Sequence, residues 1–285
     1  MTGAGRGLGG GKTATNRYGP WAVVIGAALG LGAEFCRQLA VHGLNLVMVA
    51  LEDSELHELA RRLESNHKIE TRVVVGDITT PDVVRLLDAA TDGLEVGLLV
   101  YNAGISATAP WLDTVLDRHM AMIDLNVRGP LALMNRFVPS MVERGRGGVI
   151  LLSSMSGMQG TPMVATYAAT KAFTLNLAES LWDEWRPLGI DVVALVPGST
   201  DTPGYQASAP RRAKMTPKPM PVQPVVAAAL QALGSKPSVV PGRANKIMGF
   251  LISRVLPRRR AIAFMGRTMR SMYGRRPDAA EADSA

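Results

Sequence analysis

The sequence predicts a doubly wound α/β fold, in which a parallel sheet is covered by helices on both faces within a single domain. Short runs rich in Val, Ile and Leu recur along the chain, and segments with helical spacing separate them. The runs are apolar almost without interruption, which is typical of strands buried on both faces in a parallel sheet. In folds of this class the ligand binds beyond the carboxyl ends of the strands.

Six apolar runs predict the strands in order, and a shorter run predicts a seventh. These runs cover residues 21–26, 45–50, 71–76, 96–102, 148–153 and 190–197, with 238–241 as the seventh. Apolar residues at helical spacing predict helices over residues 31–42, after the second strand through Asn66, over 113–144 and over 161–187. The catalytic domain is accordingly predicted over residues 19–241.

The composition argues against several classes of protein. A single cysteine, Cys36, allows no disulfide framework and suits a reducing compartment, so we expect a cytoplasmic protein. The four histidines are scattered and no Cys or His pair has metal-ligand spacing, so no metal site is predicted. Residues 1–18 are rich in Gly, Thr and Arg and lack an apolar core, which indicates a flexible tail rather than a signal or membrane segment.

Three glycine-rich stretches resemble phosphate-binding loops, and their context selects one. Residues 2–9 have no strand before them, and residues 11–13 end like a P-loop but have Arg6 where the earlier glycine is required. Gly26, Gly30 and Gly32 follow a strand and open a helix, where backbone N–H groups can approach a pyrophosphate. The alternative is a tight turn that binds nothing.

Tyr167 and Lys171 are four residues apart and therefore lie on one face of a helix. A nearby ammonium stabilises the phenolate, so we expect the pKa of Tyr167 to fall below its usual value of about 10. A tyrosine of this kind can exchange a proton near neutral pH, and the hydroxyl of Ser154 could hold a carbonyl oxygen beside it. The three residues predict a site that protonates a carbonyl while another group supplies hydride. The alternative is a half-buried Tyr beside a solvated Lys.

In their order along residues 21–232, these motifs resemble those of the short-chain dehydrogenase/reductase family. The matching positions are Gly26, Gly30 and Gly32, Asp77 and Ile78, Asn102, Ala103 and Gly104, Asn126, Ser154, Tyr167 and Lys171, and Pro197, Gly198 and Thr202. The resemblance implies a Rossmann fold and an NAD(P)-dependent oxidoreductase. Such an enzyme transfers a hydride between nicotinamide and a ketone or secondary alcohol.

The resemblance also implies a role for each matching residue. Tyr167 would be the general acid or base, Lys171 would lower its pKa and hold the nicotinamide ribose, and Ser154 would orient the substrate oxygen. Asn126 would hold a water in a proton relay to the lysine. The expected cofactor contacts are Gly26, Gly30, Leu31, Gly32, Leu51, Glu52, Asp77, Ile78, Asn102, Ala103, Gly104, Tyr167, Lys171, Pro197, Gly198, Thr200 and Thr202.

The sequence departs from the family pattern at several positions. Ile25 and Tyr101 stand where the family usually has Thr and Asn, and we expect these changes to affect rigidity more than chemistry. Members that prefer NADP commonly carry a basic residue at the positions of Leu29 or Leu51. Here Glu52 follows instead, and its carboxylate would repel a 2′-phosphate. The strand-end Asp typical of NAD users is missing as well, since this position is Ala50; the sequence leans toward NAD(H), with Glu52 as a ribose partner.

The C-terminal third of the chain is strongly basic. Residues 203–277 contain fifteen Lys or Arg and no Asp or Glu. Residues 242–285 are predicted to form a basic amphipathic extension with a disordered end. Three alternatives are open for it: a lid or subunit-contact helix, peripheral membrane attachment through residues 243–276, or nucleic-acid binding. No recognisable motif or aromatic platform supports the last, so no nucleic-acid partner is predicted.

Two further expectations concern the substrate and the assembly. The Pro- and Met-containing residues 204–222 lie where the family places a substrate loop, which suggests a lipophilic steroid-, fatty- or terpenoid-like molecule. Family members often form homodimers or homotetramers through the helices after the fourth and fifth strands. The alternative function is a membrane-associated binding or scaffold protein that keeps the fold without turnover.

Overall fold

Seven strands form one parallel sheet in the order β3-β2-β1-β4-β5-β6-β7. The computed structural model describes residues 11–208 and 218–274. The strands are β1 (Trp21–Ile25), β2 (Asn45–Ala50), β3 (Thr71–Val75), β4 (Val96–Tyr101), β5 (Gly147–Leu152), β6 (Ile190–Leu195) and β7 (Ser238–Val239). Residues 1–10 of the predicted tail, 209–217 of the predicted substrate loop and the predicted disordered end after Gly274 lie outside the described residues.

Helices connect the strands and cover both faces of the sheet. They are α1 (Gly11–Tyr18), α2 (Gly30–Val41), α3 (Asp53–His67), α4 (Pro81–Thr91), α5 (Leu116–Ile123), α6 (Gly129–Glu143), α7 (Ala165–Glu184), α8 (Pro203–Ala207), α9 (Val222–Ala232), α10 (Arg243–Phe250) and α11 (Arg258–Tyr273). Residues of α2, α3 and α9 pack on one face, and residues of α4, α6 and α7 pack on the other. The predicted doubly wound fold is confirmed.

The strand order creates a cleft at the centre of the sheet. β1 pairs with β2 on one side and with β4 on the other, so Ile25 has Val49 and Tyr101 as its neighbours. The chain leaves β1 in one direction and β4 in the other. The loops at the carboxyl ends of these two strands therefore diverge, which leaves room for a ligand between them.

The segment Gly11–Tyr18 forms α1, so the prediction of a flexible tail is wrong for these residues. Tyr18 is buried, and its hydroxyl donates a hydrogen bond to the Asp191 carboxylate at 2.7 Å. Arg17 Nε donates to the same oxygen at 2.6 Å. These partners are far apart in the sequence, so local composition gave no sign that the segment packs against the domain.

The predicted long helix over residues 113–144 is interrupted. A π-helical turn at Asp124–Arg128 joins α5 to α6, and its wider hydrogen-bonding pattern displaces the backbone that carries Asn126. A second π-helical turn, Leu251–Val255, continues α10 in the C-terminal extension. Within the described ranges, no helix combines the length and the apolar character needed to cross a membrane.

Candidate active site

The glycine loop lies at the carboxyl end of β1 and leads into α2. Gly26 has a φ of +78° and Gly30 a φ of +56°, a region that side chains with a Cβ rarely occupy. A Cβ at Gly32 would collide with the carbonyl oxygen of Gly26. Glycines are therefore required here. Because they carry no side chains, the backbone N–H groups at the start of α2 are accessible to a ligand. The loop fits a dinucleotide pyrophosphate at a helix N-terminus.

Residues 102–104 lie directly beside this loop. The Ile25 carbonyl accepts the N–H groups of Asn102 at 3.1 Å and Ala103 at 2.9 Å. The side-chain amide of Asn102 donates to the Gly26 carbonyl at 2.9 Å. Asn102 thus links β4 to the glycine loop and forms one wall of the cleft, while Leu31 is buried beneath the loop.

The residues expected near the adenine end lie at the carboxyl ends of β2 and β3. Leu29 and Leu51 are exposed, and Glu52 occupies the N-cap position of α3. Asp77 accepts hydrogen bonds from the Thr79 N–H at 2.9 Å and from the Thr79 hydroxyl at 2.8 Å. These contacts fix the loop that follows β3.

Ile78 is buried on the side of that loop that faces α6. It borders a cavity of about 360 Å³ together with Gly129 and Leu133 of α6. Its side chain is therefore occupied in the core. A contact with adenine would have to come from the backbone of Ile78.

Tyr167 and Lys171 lie on α7 with the phenol and the ammonium near the end of β5. Lys171 Nζ is 5.7 Å from the centre of the Tyr167 ring and donates to the Leu152 carbonyl at 2.7 Å. Ser154 follows β5; its Oγ accepts the Ser156 N–H at 3.2 Å, and its hydroxyl lies near enough to the phenol of Tyr167 to affect its pKa. The structure thus brings together the three residues that the sequence placed in one site.

Burial determines the protonation of this pair. It raises the pKa of Tyr167 above its ordinary value, and the nearby Ser154 hydroxyl opposes that rise. Burial also lowers the pKa of Lys171 to about 8. The predicted fall in the pKa of Tyr167 is wrong for this structure, because the cost of removing the phenolate from water outweighs the effects that favour it. At neutral pH Tyr167 is therefore a phenol, the form that donates a proton.

Asn126 is buried in the π-helical turn and connects the β4 loop to α7. Its side-chain oxygen accepts the Ile105 N–H at 3.0 Å, and its amide donates to the Ile105 carbonyl at 2.9 Å and to Thr170 Oγ1 at 3.1 Å. A Cβ at Gly104 would lie 3.2 Å from both Asn126 Oδ1 and Lys171 Nζ. Asn126 and Lys171 therefore meet at the same point of the cleft.

The stretch from Pro197 to Thr202 spans the site from the loop after Ser154 to the glycine loop. The Pro197 carbonyl accepts the Met155 N–H at 3.0 Å, which ties the stretch to the loop after Ser154. Thr200 is buried and donates to the Gly198 carbonyl at 3.2 Å. Thr202 caps α8, and its methyl carbon would lie 3.1 Å from a Cβ at Gly30.

Two residues that support the site were missed in the sequence. Ser153 donates its hydroxyl to the Lys171 carbonyl at 2.7 Å, and its position next to Ser154 is the only signal that could have indicated it. Asn245 of α10 would lie 2.9 Å from a Cβ at Gly198. No local pattern connects these distant segments.

The C-terminal extension packs on the loop between Ser154 and Tyr167. Ile262 of α11 would lie 3.6 Å from a Cβ at Gly160, and Pro162 would lie 3.2 Å from a Cβ at Gly266. Met269 and Met272 of the same helix are buried. The apolar face of α11 thus packs on the loop between Ser154 and Tyr167 and is turned away from solvent.

A family model described as short chain dehydrogenase matches residues 20–213. The chain belongs to this family. The chain is therefore an NAD(P)-dependent oxidoreductase, and its glycine loop fits a dinucleotide cofactor. In the described ranges no three His, Cys, Asp or Glu side chains are grouped so that they could hold a metal ion.

Two relatives show the degree of sequence similarity. The chain is 33% identical over 242 residues to the 7beta-hydroxysteroid dehydrogenase of Mediterraneibacter gnavus, covering 82% of this chain and 90% of that protein. It is 29% identical over 244 residues to the very-long-chain 3-oxoacyl-CoA reductase of Homo sapiens, covering 83% and 76%.

Solved structures agree with this assignment. A structure from a study of 7beta-hydroxysteroid dehydrogenase stereoselectivity superposes with a TM-score of 0.81 at 30% identity, over 88% of this chain and 98% of that chain. A short-chain dehydrogenase from Sphingobium yanoikuyae, solved in complex with NADPH, has a TM-score of 0.70 at 27% identity, over 78% and 87%.

Proposed function

We propose that this short-chain dehydrogenase interconverts a ketone and a secondary alcohol on a lipophilic molecule, with Tyr167 as the proton donor and acceptor. The observation that carries the proposal is the meeting of Tyr167, Ser154 and Lys171 beside a glycine loop shaped for a dinucleotide. The bound NAD(P)(H) would supply or accept the hydride. The protein's own residues hold the carbonyl and move the proton.

Each residue has a distinct task in this proposal. The Ser154 hydroxyl holds the carbonyl oxygen next to Tyr167, whose neutral phenol donates its proton as negative charge develops there. Lys171 is an ammonium below about pH 8 and stabilises the phenolate that remains. Asn126, which contacts Thr170 next to Lys171, orders the route along which the proton is replaced.

A lipophilic substrate is supported by the surroundings of the site. Met155 and Met158 follow Ser154, and each approaches Gly249 of α10. Methionine side chains adapt to irregular apolar shapes, so they suit a bulky hydrophobic group. The names of the relatives, a hydroxysteroid dehydrogenase and a long-chain oxoacyl reductase, point to substrates of this kind. We therefore favour a steroid-, fatty- or terpenoid-like ketone.

We further propose that the cofactor is NAD(H), with the Glu52 carboxylate bonded to the adenosine ribose. No cation stands at Leu29 or Leu51, and both side chains are exposed where a 2′-phosphate would approach. A carboxylate at position 52 favours ribose hydroxyls and repels phosphate. The remaining cofactor residues keep the roles that the family resemblance implies.

Reduction of a ketone panel with NADH and NADPH tests the function and the cofactor preference. We expect turnover on bulky apolar ketones with kcat/KM at least about fivefold higher for NADH, since unit charges 4 Å apart repel by about 1 kcal/mol even in water. Glu52→Gln should shift that ratio toward NADPH, whereas Glu55→Gln, an exposed change on the same helix, should leave it unchanged. Absence of turnover on every ketone with both cofactors would contradict the proposed function.

The assembly into homodimers or homotetramers stays a prediction. The ring of Trp111 stacks on His119 of α5, and Trp111 and Phe173 of α7 border a surface cavity of about 500 Å³. Leu112, Val115 and Leu116 are exposed nearby. This apolar surface supports a contact between copies, and sedimentation velocity that finds only monomer would oppose it.

We also propose that a cytoplasmic form of this protein attaches peripherally to membranes through residues 243–276. Ile247, Phe250 and Val255 are 62%, 61% and 55% exposed, which places large apolar side chains in solvent on α10 and the π-helical turn after it. Arg254 and residues 258–260 are exposed beside them. Apolar groups next to arginines suit the interface of an anionic bilayer. Because α11 buries its apolar face, α10 and that turn would make the apolar contact with the membrane.

Co-sedimentation with vesicles tests the attachment. We expect binding to vesicles that contain phosphatidylserine, weaker binding to pure phosphatidylcholine, and release by salt. Replacing Arg258, Arg259 and Arg260 with Gln should lower the partition coefficient by about 100-fold, since each basic residue contributes roughly 1 kcal/mol at an anionic surface. Phe250→Ser should also weaken binding, and Leu86→Ser, an exposed change on α4, should not. Equal recovery of all proteins with both vesicles would contradict the attachment.

A further inference from the structure

Tyr101 reaches from the end of β4 to the π-helical turn that carries Asn126. Its side chain is 3% exposed, and its hydroxyl donates to the Leu125 carbonyl at 2.7 Å. Leu125 directly precedes Asn126 in the turn. The phenol is therefore bonded to the backbone next to a residue of the active site.

The turn itself does not supply an ordinary partner for this carbonyl. In a π-helical turn, a carbonyl accepts the N–H of the residue five positions later. The Gly129 N–H bonds to the Asp124 carbonyl in this way. The corresponding position for Leu125 is Pro130, which has no N–H. The hydroxyl of Tyr101 takes the place of the donor that Pro130 lacks.

Gly129 leaves the space that the phenol needs. A Cβ at this position would collide with Tyr101 Oη and would lie 3.0 Å from Cζ of the same ring. Glycine lowers the stability of a helix relative to alanine. Its presence at position 129 is explained by the room that the Tyr101 ring needs. Tyr101 thus supplies the hydrogen-bond donor that Pro130 lacks, and Gly129 leaves room for its ring.

Any movement of the turn is transmitted to the proton-transfer groups. Asn126 is held by both backbone groups of Ile105 and by Thr170. Thr170 precedes Lys171, whose Nζ and Asn126 Oδ1 both lie 3.2 Å from the Cβ position of Gly104. A shift of Leu125 would therefore change where Asn126 stands relative to Lys171.

We propose that Tyr101 is a positioning residue, which fixes the π-helical turn and thereby aligns Asn126 with Lys171 for proton transfer. The proposal rests on the proposed roles of Asn126 and Lys171 in the reaction. It assigns a purpose to the residue at which this chain departs from the usual asparagine of its family. Tyr101 acts through the turn and contacts neither substrate nor cofactor in this account.

Tyr101→Phe tests the proposal because it removes only the hydroxyl. We expect kcat to fall about tenfold, which corresponds to about 1.4 kcal/mol in the barrier, while the Kd for NADH stays within about twofold. We also expect a shift in the alkaline limb of the pH profile of kcat, which reports the deprotonation of Lys171. A lower melting temperature with wild-type kcat and an unchanged pH profile would show a structural role alone and overturn the proposal.

A double-mutant cycle with Gly129→Ala gives an independent readout. Alanine should lower kcat in the wild-type background because its methyl group displaces the phenol. With Tyr101→Asn the ring is absent, so adding Gly129→Ala should cause no further loss. Equal losses of kcat in both backgrounds would overturn the proposed coupling between Gly129 and the Tyr101 ring. Wild-type turnover and its loss in Tyr167→Phe, measured alongside, show separately whether the proposed function holds.

Discussion

Replacing Tyr167 with phenylalanine is expected to lower kcat by about 100- to 10,000-fold, the range that a positioned acid or base contributes. The ring remains and fills the same space, so the fold and the glycine loop should be unaffected. The hydroxyl that protonates the carbonyl is lost, and Ser154 cannot replace it because a serine hydroxyl is a far weaker acid. Steady-state oxidation of NADH with a ketone that the wild type accepts measures the effect.

Two controls show whether the loss of activity is specific to the Tyr167 hydroxyl. The Kd for NADH, measured by fluorescence titration, should match that of the wild type. Tyr273→Phe removes another phenol, which contacts Ser208 at 3.2 Å, and should retain nearly full activity. If Tyr167→Phe keeps wild-type turnover, Tyr167 does not transfer the proton.

Gly32→Ala is expected to weaken dinucleotide binding strongly. The added Cβ would collide with the Gly26 carbonyl oxygen, and that contact is between backbone segments, so no flexible side chain can move aside. Relief requires the glycine loop to shift away from the N-terminus of α2, which removes the N–H groups expected to bind the pyrophosphate. The Kd for NADH should rise at least about 100-fold, or roughly 2.7 kcal/mol.

Gly204→Ala is the matched control for this change. Among the residues that the structure describes, none lies within 4 Å of a Cβ at Gly204, so the same chemical substitution should leave NADH binding intact. Circular dichroism of Gly32→Ala shows whether the sheet remains folded when binding is lost. A folded Gly32→Ala protein that binds NADH as tightly as the wild type would contradict the assignment of the loop.

Local patterns were sufficient to predict the sheet and the proximity of Tyr167 and Lys171. The strands are continuous apolar runs, and the four-residue spacing of Tyr167 and Lys171 is converted by α7 into spatial proximity. Gly26, Gly30 and Gly32 were recognisable because a buried strand precedes them and a helix follows. Each of these inferences depends on residues close together in the chain.

The features that the sequence did not reveal depend on distant contacts or on solvation. Helix α1 packs because Tyr18 reaches Asp191, a residue from another part of the chain. The direction of the Tyr167 pKa shift follows from burial, whereas the motif alone suggested the opposite direction. Tyr101 was recognisable as a departure from its family, but its contact with the Leu125 carbonyl, on which its proposed role depends, is visible only in the structure.

The central claim is that this site transfers a hydride to a carbonyl carbon while Tyr167 protonates the oxygen. Its most direct test is a reaction with NADH that carries deuterium at nicotinamide C4, on the transferred face, followed by mass spectrometry of the alcohol. We predict that the wild-type product carries one deuterium on the carbinol carbon and that Tyr167→Phe forms almost no product. An alcohol without deuterium, or one formed equally by both proteins, would contradict the claim.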